Sequence, residues 1–174
     1  MMLISLGSGA ALAIALISVV SHFTSSTTTT TSLPEPAIVG TSISPRTLPT
    51  LDGRSRLTIP ARGHRTVLVF FASWCGPCRR ELPEVQRFAE SAPSDVSVIG
   101  VAANDAPQAA SEFLDQLGVT ILAVSDADGS VTSSTYGFGT LPETVFIDST
   151  GVVRHVVFGG LNRQTLRQSV GALR

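Results

Sequence analysis

The sequence predicts an α/β domain in which a mixed central β-sheet lies between two covering layers, giving a three-layer α/β/α sandwich. Three observations support this prediction. Apolar strand-like runs alternate with amphipathic helical segments from residue 66 onwards, as they do in βαβ units. Two short β-branched runs near the C-terminus flank a turn, which indicates an antiparallel hairpin. Without its N-terminal tail, the chain of 174 residues leaves about 130 residues, enough for one domain with its own core.

The N-terminal tail is expected to lie outside this domain. Residues 1–23 contain an uncharged apolar run of about 20 residues, which is long enough to cross a bilayer core of roughly 30 Å. Residues 24–47 are rich in Ser, Thr and Pro, as linkers are. The length of the apolar run favours an uncleaved membrane anchor that tethers the domain at residues 48–174. Cleavage of a signal peptide followed by secretion is the alternative.

The first half of the domain shows a recognisable pattern for each element in turn. Asp52-Gly53 between apolar residues predicts a hairpin turn. The continuous apolar run at 66–71 predicts a central strand buried on both faces. Apolar residues then recur at helical spacing from Cys78 to about Ser91. The following segments are predicted to be a strand at 96–102, a helix at 106–117 and a strand at 120–124.

The second half of the domain is predicted to end in a hairpin and a helix. Segments 144–148 and 152–158 should pair as antiparallel strands across a short polar turn. Asn162 is expected to cap a final helix in which Leu166 and Val170 share one face.

Composition argues against several classes of function. The net charge is −1, and the 12 basic residues are scattered arginines, so no basic surface for nucleic acid is expected. Two cysteines and three widely spaced histidines do not make a zinc site. The Asp-Ala-Asp-Gly segment at 126–129 resembles the start of a calcium loop, but Gly137 stands where a bidentate Glu is required. We therefore interpret 126–129 as a turn and helix cap, and we expect no metal or cofactor.

The most specific functional signal is Trp74-Cys75-Gly76-Pro77-Cys78, between the central strand and the first helix. The positive end of a helix dipole and its free N–H groups stabilise a thiolate. Cys75, expected at the exposed start of the helix, is therefore predicted to be the nucleophile. Cys78 is close enough to attack a mixed disulfide on Cys75, so we expect it to be the resolving thiol of a redox-active disulfide.

Segment 70–83, Phe-Phe-Ala-Ser-Trp-Cys-Gly-Pro-Cys-Arg-Arg-Glu-Leu-Pro, resembles the active-site segment of the TlpA/ResA-like branch of the thioredoxin superfamily. Segment 139–148, Gly-Thr-Leu-Pro-Glu-Thr-Val-Phe-Ile-Asp, is similar to the cis-proline loop of that family. The likeness extends from about residue 48 to the C-terminus. It implies a membrane-tethered thiol-disulfide oxidoreductase with a thioredoxin-like fold, an N-terminal hairpin and a strand-helix insertion before the cis-proline loop.

The resemblance also implies roles for individual residues. Pro142 should be cis and face the cysteines, and the backbone at Leu141 should pair with an extended substrate; without the family, trans is the default, since only about 5% of X-Pro bonds are cis. Glu81 matches a glutamate proposed to assist proton transfer, and a surface Glu that favours the helix dipole is the alternative. Trp74 should shield the thiols and contact substrate, or simply pack. Val69 stands where thioredoxin has a buried acid.

These features predict an extracytoplasmic enzyme with a monomeric catalytic domain that reduces protein disulfides and contributes to cell redox homeostasis. By resemblance, its substrate would be the cysteines of apocytochrome c during cytochrome c maturation, and its electron donor a membrane thiol carrier. Potentials of Cys-x-x-Cys proteins span about −270 to −120 mV, so a disulfide oxidase or isomerase is an alternative. A module that binds copper through Cys75 and Cys78 is a third.

Overall fold

The computed structural model describes residues 37–137 and 140–173. The predicted anchor at residues 1–23, residues 24–36 of the predicted linker and Gly139 of the predicted cis-proline loop lie outside these described residues. Within the two described ranges, none of the helices combines the length and the apolar character needed to cross a membrane.

The described residues form a mixed five-stranded sheet and a separate hairpin. In chain order the elements are β1 (Arg46–Pro49), β2 (Arg56–Ile59), β3 (Arg65–Phe71), α1 (Cys78–Ala89), β4 (Val96–Ala103), α2 (Pro107–Gln116), β5 (Leu122–Asp126), α3 (Ser130–Tyr136), β6 (Glu143–Ile147), β7 (Val153–Phe158) and α4 (Arg163–Ala172). Strands β1 and β2 pair with each other, and the sheet has the order β5-β4-β3-β6-β7. The predicted α/β class and its thioredoxin-like arrangement are confirmed.

Strand β3 lies at the centre of the sheet because its side chains are apolar on both faces. Val67, Leu68 and Phe70 are fully buried. The strand runs parallel to β4 and antiparallel to β6, with Phe70 opposite Glu143. The end of β3 and the beginning of β6 therefore meet at one edge of the sheet, so the segment after Phe71 lies next to the segment before Glu143.

Helices α1, α2 and α4 cover one face of this sheet. One apolar cluster fills this face of the sheet. It joins Val67, Val69 and Phe71 of β3 to Leu82 of α1, Phe113 of α2 and Leu166 of α4. The crossovers from β3 to β4 and from β4 to β5 both proceed in the same direction across parallel strands. Since such crossovers are right-handed, both helices must lie on the same face.

The opposite face is covered by the β1–β2 hairpin and by α3. Leu68 and Phe70 of β3 form a second cluster with Leu48, Ile59 and Tyr136. The Phe70 and Tyr136 rings lie 5.1 Å apart between centroids. This hairpin and this short helix make the third layer of the predicted sandwich.

Helix α3 lies in the insertion between α1 and the segment before β6. The sequence did not predict it as a separate helix. The interpretation of 126–129 as a turn and helix cap agrees with the structure. Asp126 Oδ1 accepts from the Val131 N–H at 3.2 Å, and Asp128 Oδ1 accepts from the Ser130 N–H at 3.0 Å. These two carboxylates therefore satisfy free N–H groups in the first turn of α3.

Part of the segment that composition assigned to the linker is packed on the domain. The Gly40 N–H donates to the Val153 carbonyl at 2.8 Å, and the Ile43 N–H donates to the Gly151 carbonyl at 2.9 Å. The side chain of Ile43 is buried in the cluster beneath α3 and the hairpin. The packed chain therefore includes residues before Leu48.

Replacing Asn162 by alanine should destabilise the fold by about 1 kcal/mol. Asn162 Oδ1 accepts from the Thr165 N–H at 2.9 Å and caps α4, as predicted. Urea unfolding would measure the loss. The matched control is Gln164→Ala, since Gln164 is an exposed residue in the same helix and its loss should cost less than about 0.5 kcal/mol. Equal losses in the two variants would show that the cap does not stabilise α4.

Candidate active site

The segment 72–77 carries the chain from the end of β3 into α1. The Cys75 N–H donates to the Ala72 carbonyl at 3.1 Å, which closes a tight turn directly after the strand. Cys75 and Cys78 are joined by a disulfide, with their Cα atoms 5.3 Å apart. We call the segment 72–78 the redox loop.

The expectation that Cys75 is exposed at the start of the helix is wrong. Cys75 is 4% exposed and Cys78 is 1% exposed. The helix begins at Cys78, and Cys75 lies in the turn before it, in the same buried apolar cluster as Phe71, Ala72 and Ala102. Trp74, by contrast, is 61% exposed. A molecule that approaches the disulfide therefore meets the Trp74 indole at the surface.

The sulfur of Cys75 accepts a hydrogen bond from the backbone at the start of α1. The Cys78 N–H donates to Cys75 Sγ at 3.2 Å. This N–H is among those at a helix N-terminus that have no partner within the helix, and it would stabilise negative charge on the sulfur. The next side chain, Arg79, lies with its guanidinium carbon 4.8 Å from the centroid of the Phe113 ring. Among the described residues, no cluster of three or more His, Cys, Asp and Glu is placed to hold a metal ion.

Two residues that follow β4 hold the redox loop, and sequence reasoning missed both. The Trp74 Nε1–H donates to the Asn104 carbonyl at 3.2 Å. Asp105 accepts from the Ser73 N–H at 2.6 Å and from the Ser73 hydroxyl at 2.9 Å. A signal was available, because Asn104 and Asp105 directly follow a predicted parallel strand, and functional groups collect at the carboxyl ends of such strands.

Pro142 lies beside the redox loop at the beginning of β6. The register that pairs Phe70 with Glu143 brings Pro142 next to Phe71, the last residue of β3. The Leu141–Pro142 peptide bond is cis, and the Pro142 carbonyl accepts from the Gly159 N–H at 2.9 Å. Leu141 is half-buried and packs against the edges of both apolar clusters. The structure therefore brings Pro142 and the cysteine-bearing segment to the same edge of the sheet.

Glu81 is buried beneath the redox loop, so the alternative of a surface glutamate does not hold. It is 2% exposed, one helical turn after Cys78. Thr144 on β6 donates its hydroxyl to Glu81 Oε1 at 3.2 Å. Burial raises the pKa of Glu81 to about 7, against the hydrogen bonds from Thr144 and the Leu161 backbone, which lower it. The group can therefore gain and lose a proton near neutral pH.

The fold and this edge of the sheet together define a class of protein. A disulfide stands at the N-terminus of the first crossover helix, beside a cis proline and below an exposed tryptophan. Two cysteines this close can exchange a disulfide with another molecule without any cofactor. The class is that of the thiol-disulfide oxidoreductases with a thioredoxin-like fold.

Comparison with known proteins identifies the family. Residues 38–171 match the Redoxin family. The chain is 30% identical to the thiol:disulfide interchange protein DsbE of Pseudomonas aeruginosa, covering 79% of this chain and 76% of DsbE. It is 27% identical to the thiol-disulfide oxidoreductase ResA of Geobacillus thermodenitrificans, covering 78% of each. The solved structure of MTB DsbF in mixed oxidised and reduced forms is 33% identical, with a TM-score of 0.67, covering 81% of this chain and 100% of DsbF.

The chain therefore belongs to the Redoxin family and is a thiol-disulfide oxidoreductase of the ResA and DsbE type. The resemblance to the TlpA/ResA-like branch, stated from the segments around the cysteines and Pro142, is confirmed, and so is the prediction of an enzyme. Disulfide-containing molecules are its substrates.

Proposed function

We propose that this enzyme reduces disulfide bonds in extracytoplasmic proteins, with Cys75 as the nucleophile and Cys78 as the resolving thiol. The observation that carries the assignment is the hydrogen bond from the Cys78 N–H to Cys75 Sγ at the start of α1. Of the two sulfurs, the one that accepts this bond has its thiolate stabilised by the helix N-terminus.

The reaction begins with both cysteines reduced. The Cys75 thiolate attacks one sulfur of the substrate disulfide, forms a mixed disulfide and releases the other substrate sulfur as a thiolate. The Cys78 thiolate then attacks Cys75 Sγ, which forms the intramolecular disulfide and releases the second substrate thiolate. Two electrons pass to the substrate, and its thiolates take up protons. A membrane thiol carrier returns the enzyme to its reduced form by the same exchange in reverse.

Glu81 is proposed to handle the proton of the thiol pair. It lies one turn after Cys78 on the same helix, and its pKa of about 7 suits a group that accepts and returns a proton at neutral pH. Val69, the residue at the position of the buried acid of thioredoxin, is buried and apolar and offers no alternative acceptor. Glu81 is therefore the acid that supports proton transfer, and Thr144 on β6 holds it by a hydrogen bond.

The substrate is proposed to lie across Trp74, Leu141 and Pro142. The exposed indole of Trp74 offers an apolar surface at the rim of the disulfide. An extended peptide would pair with the backbone at Leu141, next to the cis bond. An unfolded polypeptide with a disulfide between two nearby cysteines, as in the haem-binding motif of apocytochrome c, fits this extended mode of binding, and cytochrome c maturation is the proposed pathway.

The enzyme is proposed to act outside the cytoplasm as a monomeric domain whose packed chain includes Gly40 and Ile43, tethered by residues 1–23 through the Ser/Thr-rich segment that follows them. The support is the uncharged apolar run at the N-terminus and the Ser/Thr tract that follows it. Secretion after cleavage of this segment is the alternative, and mass spectrometry of the mature N-terminus distinguishes the two.

The Cys78→Ser variant is expected to trap substrates as mixed disulfides, because Cys75 attacks but no thiol resolves the product. Expression in intact cells, followed by identification of the proteins bound to Cys75, tests the proposal. The chain has two cysteines, so a Cys75→Ser, Cys78→Ser double variant is the matched control and should trap nothing. The proteins expected to be trapped on Cys75 are extracytoplasmic proteins with disulfides.

Three outcomes would contradict the proposal. Recovery of cytoplasmic proteins alone would overturn the extracytoplasmic location. An equilibrium reduction potential above about −150 mV would indicate an oxidase or isomerase instead of a reductase. Loss of bound copper from the Cys78→Ser variant, without any trapped protein, would indicate a metal-binding module.

A further inference from the structure

The chain turns sharply after β4, and this turn directs two consecutive residues at the redox loop. Asn104 has a φ of 51°, in the left-handed region that Asn adopts more readily than most residues. Its N–H donates to the Asp126 carbonyl at the end of β5, at 3.0 Å. The turn is thus held by the neighbouring strand, and Asp105 follows it with its carboxylate against Ser73.

Asp105 brings a carboxylate to the segment immediately before the nucleophile. It is 8% exposed, and it accepts from both the N–H and the hydroxyl of Ser73, two residues before Cys75. The ion pairs found among the described residues do not include Asp105, so no arginine neutralises it there. Because charges interact more strongly where water is excluded, this carboxylate should act on the Cys75 sulfur.

Two groups therefore act on Cys75 in opposite directions, one hydrogen-bonded to its sulfur and the other hydrogen-bonded to Ser73, two residues before it. The Cys78 N–H donates to the Cys75 sulfur from the helix side and favours its thiolate. The Asp105 carboxylate, which accepts from Ser73, disfavours the thiolate, since like charges repel. A thiol-disulfide couple with a less stable thiolate has a less stable reduced form, and it is a stronger reductant.

We propose that Asp105 is a positioning residue that is held against the redox loop by Ser73 and acts on Cys75 through its charge. It holds the turn that carries Trp74 and Cys75, and its charge destabilises the Cys75 thiolate and thereby keeps the enzyme reducing. The inference rests on the proposed reductase function and deepens it, because it assigns part of the direction of electron flow to one carboxylate outside the Cys-x-x-Cys motif.

The full-length Asp105→Asn variant tests this inference. Asn keeps the shape and one acceptor oxygen but removes the charge. The equilibrium constant for reducing the Cys75–Cys78 disulfide with glutathione should rise about tenfold, equivalent to about 30 mV for this two-electron couple. The pH midpoint for alkylation of Cys75 should fall. The matched control is Asp115→Asn, which removes the same charge from an exposed position in α2 and should change neither quantity.

Equal equilibrium constants in the wild type and Asp105→Asn would overturn the inference while leaving the reductase proposal intact. A wild-type enzyme that forms disulfides in dithiol proteins instead of reducing them would overturn the reductase proposal. The Ser73→Ala variant keeps the charge and loses one hydrogen bond, so its equilibrium constant should change less than threefold.

If Asp105→Asn does not fold, the wild-type protein supplies the test. The carboxyl carbon resonance of Asp105 should shift as Cys75 ionises in the reduced protein, and that of Asp115 should not. An Asp105 resonance that is insensitive to Cys75 would overturn the inference.

Discussion

A Cys75→Ser variant is expected to lose at least about a thousandfold in the rate of disulfide exchange, because a hydroxyl at this position is neither ionised at neutral pH nor able to form a stable bond to sulfur. The chain has two cysteines, so the remaining Cys78 is the single thiol whose reactivity is measured. That thiol lies within the first turn of α1 and is 1% exposed. The loss is measured as the rate at which dithiothreitol reduces a small disulfide-containing protein, with and without the enzyme.

The Cys78→Ser variant is the matched control for this experiment. It should still react once with an activated aromatic disulfide at nearly the wild-type rate, since Cys75 is intact. Circular dichroism on both variants checks that each is folded. A fast first reaction in Cys75→Ser together with a slow one in Cys78→Ser would reverse the proposed roles of the two cysteines.

The wild-type protein is expected to become less stable as the pH rises from about 4.5 to above 7, because of Glu81. Burial raises the pKa of Glu81 from its ordinary 4.5 to about 7. Between these values the unfolded chain has lost this proton and the folded chain keeps it, so the free energy of unfolding falls with pH. Across the whole interval the loss from this group is about 3 kcal/mol.

Urea unfolding of the oxidised protein at pH 4.5, 6 and 8 measures this dependence. The Glu81→Gln variant carries no titrating group at this position, so the difference between the two proteins isolates Glu81. Glu90→Gln, at an exposed position that follows α1, is the control and should behave as the wild type does. An identical pH dependence in the wild type and Glu81→Gln would show that Glu81 titrates near its ordinary pKa.

The sequence predicted the parts of the fold that depend on neighbouring residues. The apolar run of β3, the turn at Asp52-Gly53 and the cap at Asn162 each carry their signal within a few residues. The cysteine pair also carries a local signal, because its place between a strand and a helix can be seen in the sequence. These local patterns agree with one another, and together they were enough to predict the fold class.

The parts that were missed, such as Asp105, or left open, such as the burial of Glu81, depend on pairings distant in the chain. Asp105 meets Ser73 across 32 residues, and Glu81 meets Thr144 across 63. In the sequence, Asp105 stands where a loop is expected, and Glu81 resembles the acidic residue common in the first turn of a helix. Cys75 was expected to be exposed because it was placed at the start of the helix, yet it lies in the turn before the helix and packing in the apolar cluster buries it.

The pairing of β3 with β6 has a consequence for how this architecture tolerates change. Cys75 and Pro142 follow and precede adjacent strands, so their separation is set by the register of Phe70 with Glu143 and not by the length of chain between them. Segments such as α3 are therefore free to vary in size or to accept inserted loops. Within the intervening chain, Asn104 and Asp105 contact the redox loop. A change in chain length at that turn would therefore alter the chemistry of the cysteines.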